Sequence, residues 1–347
     1  AVAMRDVVVV GGGVVGLSLA RALARGGARV TLVERAPPSG TPAPWPSAGA
    51  SSLPIALVNP WRGRKGAAHP DDRAGLDATW RWAEELRAEG LDPGAERRGV
   101  LRVPTSERQA RSWRERADRE PSLTWLDPDA LPDALHAPFG ALRVEDGGAI
   151  RADAWRTALA ASARAAGAHL RSGATVTRLD RDGAAWRVVT AQGEAHATRT
   201  VVLALGADAP PEVHGADGAP WPDWIRTRGE EVAVAAAGPP LPVAGGIYAA
   251  ADGAGTWIGG GHRPADRDDP DAPRRLREAM AWSVPGLADA EVTAVWTGVR
   301  AKRADARPVI EAWREGVWIV GAFAGRGFLC AALEADRFAA AWRDGRR

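Results

Sequence analysis

The chain has one cysteine, Cys330, so it can build neither a disulfide framework nor a multi-cysteine zinc or iron–sulfur site. Tyrosine is equally scarce: Tyr248 is the only one, which excludes an active site closed by two tyrosines. Lysine occurs only at Lys65 and Lys302, and 45 basic against 43 acidic residues leave a formal net charge of +2. The high pI of about 9.2 therefore reflects arginine rather than a large positive field, which argues against non-specific nucleic-acid binding. The six histidines form no HExxH-like pair, and no metal is expected. No apolar run approaches the roughly 18 residues of a membrane span. The opening AVAMRDVVVV lacks a basic n-region, a long apolar stretch and a cleavage site, and reads as a strand. The expected setting is the cytoplasm, without a membrane partner.

Apolar residues at 46% and charged residues at 25% are the composition of an ordinary globular protein. At roughly 150 residues per domain, 347 residues suggest two domains. Most of the sixteen tryptophans are expected in cores or interfaces, with one or two available to line a substrate cavity.

The first 35 residues carry the clearest pattern. A β-branched run, Val7 to Val10, reads as a strand buried on both faces. GGGVVG follows, then a helix-forming stretch from Leu17 to Ala24 ended by Gly26-Gly27, then a second strand from Arg29 to Glu34. Pro37 to Pro54 reads as an extended loop. Downstream, helices are expected over about 72–89, 153–166 and 273–282 and from Gly327 onward. Strands are expected over 174–179, 186–190, 200–205, 292–297 and 317–321, with a strand-rich block at 226–260.

Gly11-x-Gly13-x-x-Gly16 thus lies between a strand and a helix, with the acidic Glu34 ending the next strand. Gly11 permits the tight turn, Gly13 lets a pyrophosphate approach the backbone, and Gly16 lets helix and strand pack closely. The helix N-terminus meets phosphate charge, and Glu34 can accept from ribose hydroxyls. NAD and FAD both fit this pattern. The single fingerprint leaves no second nucleotide site, and the strand VVLALGAD ends in a small-residue turn where a flavoprotein chain passes its cofactor again. Both features favour FAD.

Several segments in order resemble the FAD-dependent D-amino acid oxidase family, which includes glycine oxidase and sarcosine oxidase. They are VVVVGGGVVGLSLARALARGGARVTLVER, SAGASSLPIALVNP, GGAIRADAWRTALAASARAAGA, GATVTRLD, VVLALGADAP, RTRGEEV, GGIYAAADGAGTWIGG, TGVRAKRADARPVI and GAFAGRGFLCAALEADRFAA. GGAIRADAW and GRGFLCAAL are also similar to the oxidase half of the bifunctional enzyme that modifies the wobble uridine of tRNA.

The resemblance implies an α/β fold: a Rossmann-like FAD-binding domain from 1–75, 150–210 and 298–347, and an α+β substrate domain of mixed antiparallel sheet from 76–149 and 211–297. It implies that Gly11, Gly13, Gly16, Glu34 and Arg35 hold the ADP half of FAD. Val176 would meet the adenine, Gly206 would line the cofactor, and Ser51 and Ser52 would pass the pyrophosphate and ribityl. Gly325, Gly327 and Phe328, in GAFAGRGF, would face the pyrimidine edge of the flavin.

Arg300 matches the arginine that clamps a substrate carboxylate; the alternative for it is a structural ion pair. Arg326 would act on the flavin or reach the substrate, and Tyr248 is the one tyrosine available to the active site. Arg62, Arg64 and Lys65 could greet an anionic substrate or form a solvated loop. Cys330 is not at the position that links flavin in sarcosine oxidases, so FAD is expected to be bound non-covalently. The RGQ of many members is Arg228-Gly229-Glu230 here.

The activity implied is oxidation of the C–N bond of an amino acid or secondary amine, with oxygen or another electron acceptor. If the amine binds unprotonated, no general base is needed. One alternative is oxidation of a carboxymethylamino group on tRNA; another is a flavin-binding protein without turnover.

Overall fold

The computed structural model describes residues 4–38, 44–253, 255–267 and 269–345. The valine-rich strand Met4–Val10 runs through the middle of a parallel sheet, between Val30–Glu34 and Ala195–Leu203. Val7, Val8 and Val9 are fully buried, as a strand covered on both faces requires. His169–Ser172 extends the parallel order on one side and Val317–Gly321 on the other. The helices are α1 (Val14–Arg25), α2 (Pro70–Ala88), α3 (Glu107–Ala117), α4 (Ala152–Ala165), α5 (Ala272–Ala281) and α6 (Gly327–Arg343).

Helices α1, α2, α4 and α6 share one core on the first face of this sheet, filled by Leu17, Leu23, Leu76, Trp82, Trp155 and Phe338. On the other face, Leu179, Trp186 and Val188 pack against Val8 and Val10. They belong to Val176–Asp182 and Ala185–Thr190, an antiparallel pair joined to the start of Ala195–Leu203.

The second large sheet is antiparallel apart from one parallel pair, Val243–Ala244 with Val100–Arg102. Its order runs Val292–Lys302, Ile225–Val234, Thr256–Pro264, Tyr248–Ala251, Val243–Ala244, Val100–Arg102, Ala141–Val144, Leu123–Leu126. Helix α5 covers one side, where Leu276 and Met280 meet Val232, Val234 and Ile258. A small sheet of Ile55–Val58, Ala95–Glu96 and Gly148–Arg151 lies at the junction of the two halves.

This is the expected α/β class, a Rossmann-like sheet with a second, mixed antiparallel one. The chain divides differently at three points. Helix α2 packs its Leu76, Trp80 and Leu86 into the core of the first sheet, although most of it lies beyond residue 75. Glu212–His214 pairs with Val176–Asp182 in the first sheet. Val292–Lys302 pairs along its length with Ile225–Val234, so Arg300 is a residue of the second sheet. Helix α4 starts at Ala152 after an Arg151 N-cap, with Asp153 in its first turn.

Candidate active site

The turn after the first strand is built on backbone clearance. Gly11 has φ +103°, and a Cβ there would lie 2.3 Å from the Ala204 carbonyl oxygen. A Cβ on Gly16 would lie 1.8 Å from the Gly11 carbonyl oxygen, so only glycine lets α1 start this close to the strand. At the helix start, the Val14 N–H donates to Ser51 Oγ at 3.0 Å, and the Gly12 N–H donates to Glu34 Oε2 at 2.5 Å. Glu34 Oε1 accepts from the Ala36 N–H at 2.7 Å. The acidic residue therefore braces the glycine turn as well as facing the adjoining space.

That space is a cavity of about 1070 Å³ between the two large sheets. Gly11, Gly13, Glu34, Arg35, Ser51, Val176 and Gly206 line it at one end. Gly325, Arg326, Gly327 and Phe328, at the start of α6, also line it, as do Tyr248 and Arg300. Gly16 lies behind the turn as a packing residue. Ser52 is not in the wall: its hydroxyl donates to the Gly49 carbonyl at 2.8 Å and accepts from Trp296 Nε1 at 2.9 Å. Of the two serines only Ser51 lines the cavity, because the short 3-10 turn Ala50–Ser52 directs consecutive side chains differently. Arg35 pairs with Asp208 at 2.9 Å, both side chains half exposed.

The two arginines assigned to the substrate end differ. Arg326 is buried and pairs with the buried Asp72 of α2 at 3.1 Å, and Arg62 meets the same carboxylate at 2.7 Å. Arg326 is thus already matched by a carboxylate, which weakens its standing as a free substrate group. Arg300 has no carboxylate within ion-pair distance among the described residues. Its side chain passes over Gly229 and donates through Nη2 to the Gly261 carbonyl. Burial lowers its pKa from the ordinary arginine value, an effect that Tyr248 and Glu231 oppose.

Tyr248 donates its hydroxyl proton to Glu231 Oε1, and the Ile55 N–H donates to Glu231 Oε2 at 3.1 Å. Glu231 is 1% exposed. Burial pushes its pKa up to about 7 against the Tyr248 and Ile55 hydrogen bonds and the Arg300 charge. Burial first, and Glu231 second, hold the Tyr248 phenol well above its ordinary pKa. The sequence reading named Tyr248 but not Glu231, whose role depends on strand register: Glu231 and Tyr248 both pair with Gly259. The one available signal was the second glutamate after Arg228-Gly229.

Arg62, Arg64, Arg102, His262 and Lys302 also line the cavity; Lys65 does not. Arg102 donates to the Gly63 carbonyl at 2.7 Å and lies 4.4 Å over the Trp113 ring. Burial pushes its pKa down to about 10. Burial, followed by Arg300, Lys302 and Arg62, lowers the pKa of His262. Arg156 of α4 holds the Ser51 loop by donating to the Ser51 carbonyl, a link that local sequence does not reveal. Among the described residues, no group of His, Cys, Asp or Glu side chains could hold a metal, and no helix is long and apolar enough to cross a membrane.

The cavity lies at the upper end of ordinary ligand pockets, about 300–1,000 Å³. A Cβ on Gly206 would meet nothing within 4 Å, so backbone faces open space where the cofactor is expected. A family model described as FAD dependent oxidoreductase matches residues 6–341. The chain belongs to this family.

FAD is accordingly its cofactor. Cys330 is buried within α6 with its thiol 3.6 Å from Asp72 Oδ1, consistent with a flavin that is not attached through it. A tRNA 5-methylaminomethyl-2-thiouridine biosynthesis bifunctional protein from Maricaulis maris is 32% identical over 337 residues, 96% of this chain and 51% of that protein. Its counterpart from Caulobacter vibrioides is 29% identical, over 96% of this chain and 53% of that protein. The chain thus spans about half the length of these relatives. Among solved structures, glycine oxidase from Geobacillus kaustophilus superposes with a TM-score of 0.81 at 24% identity, covering 99% of this chain and 95% of that one. Iminodiacetate oxidase from Chelativorans sp. superposes with a TM-score of 0.78 at 20% identity, covering 99% and 96%.

Proposed function

We propose that this flavoprotein oxidises the C–N bond of an amino acid or secondary amine carrying a carboxylate. The observation that carries this reading is Arg300: a cavity-lining guanidinium with no carboxylate partner among the described residues, beside a tyrosine. A planar guanidinium can pair a carboxylate through two parallel hydrogen bonds and so fix the α-carbon. Gly11, Gly13, Glu34, Ser51, Val176 and Gly206 would hold the adenosine and pyrophosphate of FAD, and Gly325, Gly327 and Phe328 its ring end. When bound, FAD supplies the acceptor for a hydride from the substrate carbon. The start of α6 would favour negative charge on the flavin through its exposed N–H groups. Orientation of the substrate by Arg300 is then the protein's main contribution.

A second reading has the same bond broken on a carboxymethylamino group of tRNA. The curated relatives' names and the cations at the cavity, Arg62, Arg64, Arg102 and Lys302, favour it. Anaerobic bleaching of the flavin separates the two. Reduction by free amines or imino acids such as iminodiacetate supports the first, and reduction by modified tRNA alone supports the second. Reduction by none of them overturns both and leaves a flavin-binding protein without turnover.

A further inference from the structure

We infer that Glu231 accepts the substrate's ammonium proton through Tyr248. The inference rests on the amine-oxidising reading above. Hydride can leave the α-carbon only when the amine nitrogen has its lone pair free, and an ordinary amine of pKa about 10 is almost wholly protonated at neutral pH. The cavity therefore needs a route for that proton.

Tyr248 forms part of the cavity wall, while Glu231 does not reach it. Its hydroxyl lies 3.2 Å from the Ile55 carbonyl and donates to Glu231 Oε1, so the proton is committed to Glu231 and the oxygen lone pairs can accept from a bound ammonium. In the transfer, the ammonium N–H bond breaks as its proton joins the Tyr248 oxygen, and the phenol's own proton passes to Glu231. Ammonium and carboxylate become amine and carboxylic acid, with no change in oxidation state. Charge is balanced throughout: Arg300 faces the substrate carboxylate, and Glu231 faces the substrate nitrogen through Tyr248.

The groups acting on Glu231 are the Tyr248 phenol from its own sheet, the Arg300 guanidinium from Val292–Lys302, and the Ile55 N–H from Ile55–Val58. The neighbouring Glu230 is paired with Arg263. Burial among these holds Glu231 at about 7, so it is ionised above neutrality and can take up a proton there. A structural role is the competing account, because the same carboxylate ties Ile55–Val58 to the second sheet. Glu231 is thus a positioning residue whose charge, and not only its shape, is used.

The test compares wild type, Glu231→Gln and Tyr248→Phe, each loaded with FAD, using an amine that bleaches the wild-type flavin. Anaerobic flavin reduction is followed against pH beside thermal melts. The wild-type rate should fall below pH 7 and level off above it. Glu231→Gln keeps a hydrogen-bonding side chain but takes no proton. It should be slower than wild type at pH 7.5, and the difference should close towards the amine's own pKa, where the free amine no longer needs an acceptor. Tyr248→Phe should follow the same profile. Independently of turnover, a protonated-carboxyl infrared band of the resting wild type should titrate away near pH 7 and be missing from Glu231→Gln, since ordinary carboxylates are already ionised there. Either variant keeping the wild-type profile, or an equal loss at every pH, overturns the inference. A wild-type flavin that no amine reduces overturns the amine-oxidising reading instead.

Discussion

Replacing Arg300 by methionine separates a substrate clamp from a structural charge. Arginine carries five N–H donors, and the one protein bond described for Arg300 runs from Nη2 to the Gly261 carbonyl. Methionine retains much of the stem's packing and removes the charged fork. A charge-assisted pair to a substrate carboxylate is worth roughly 1.5–3 kcal/mol, so kcat/KM for a carboxylate substrate should drop about tenfold to more than a hundredfold. The matched amide, which never made that pair, should lose far less. No ion-pair partner is stranded by the change, and relief of the buried charge offsets loss of the bond to the Gly261 carbonyl, so the melting temperature should change little. The assay is kcat/KM for matched acid and amide on both proteins, with FAD content and a thermal melt. Equal losses on acid and amide, together with a lower melting temperature, would refute the clamp and remove the main support for a carboxylate substrate.

Glu34→Lys should reduce FAD content and also stability, because it removes the acceptor of the Gly12 and Ala36 N–H groups; each bond to a charged group is worth roughly 1.5–3 kcal/mol. Full FAD occupancy in the folded variant, measured after acid release, would contradict this assignment. Asp72→Ala should cost about 3–5 kcal/mol in urea unfolding of the loaded protein, since it leaves the buried Arg326 without its counter-charge; a change under about 1 kcal/mol would show that Arg326 finds another partner.

What the sequence made legible was set by local geometry. The glycine turn, Glu34 and the flanking strand and helix lie within one short segment, and each residue type is forced by a backbone clearance or a charge at that spot. The strand at 317–321 and the helix from Gly327 were legible for the same reason. Features that depend on distant partners were not. Asp72 and Arg326 are 254 positions apart, and nothing near either one announces the pair. Ser51 and Ser52 are adjacent and chemically identical, yet only Ser51 lines the cavity. Helix α2 reads as a generic amphipathic helix, and its choice of the first core is made by Trp82 and Leu86 meeting α1, α4 and α6.

A Cβ on Gly229 would stand 2.5 Å from Arg300 Nη2, and the guanidinium passes over that bare stretch of backbone to the Gly261 carbonyl. The side chain is therefore held in one direction before any ligand arrives. Ordering a free arginine takes roughly 1.5–2 kcal/mol of rotamer entropy, and here that loss falls on folding rather than on binding. Gly229 thus leaves the room and the Gly261 carbonyl supplies the anchor, and under the clamp proposal part of the affinity for a carboxylate is set by what a neighbouring strand omits.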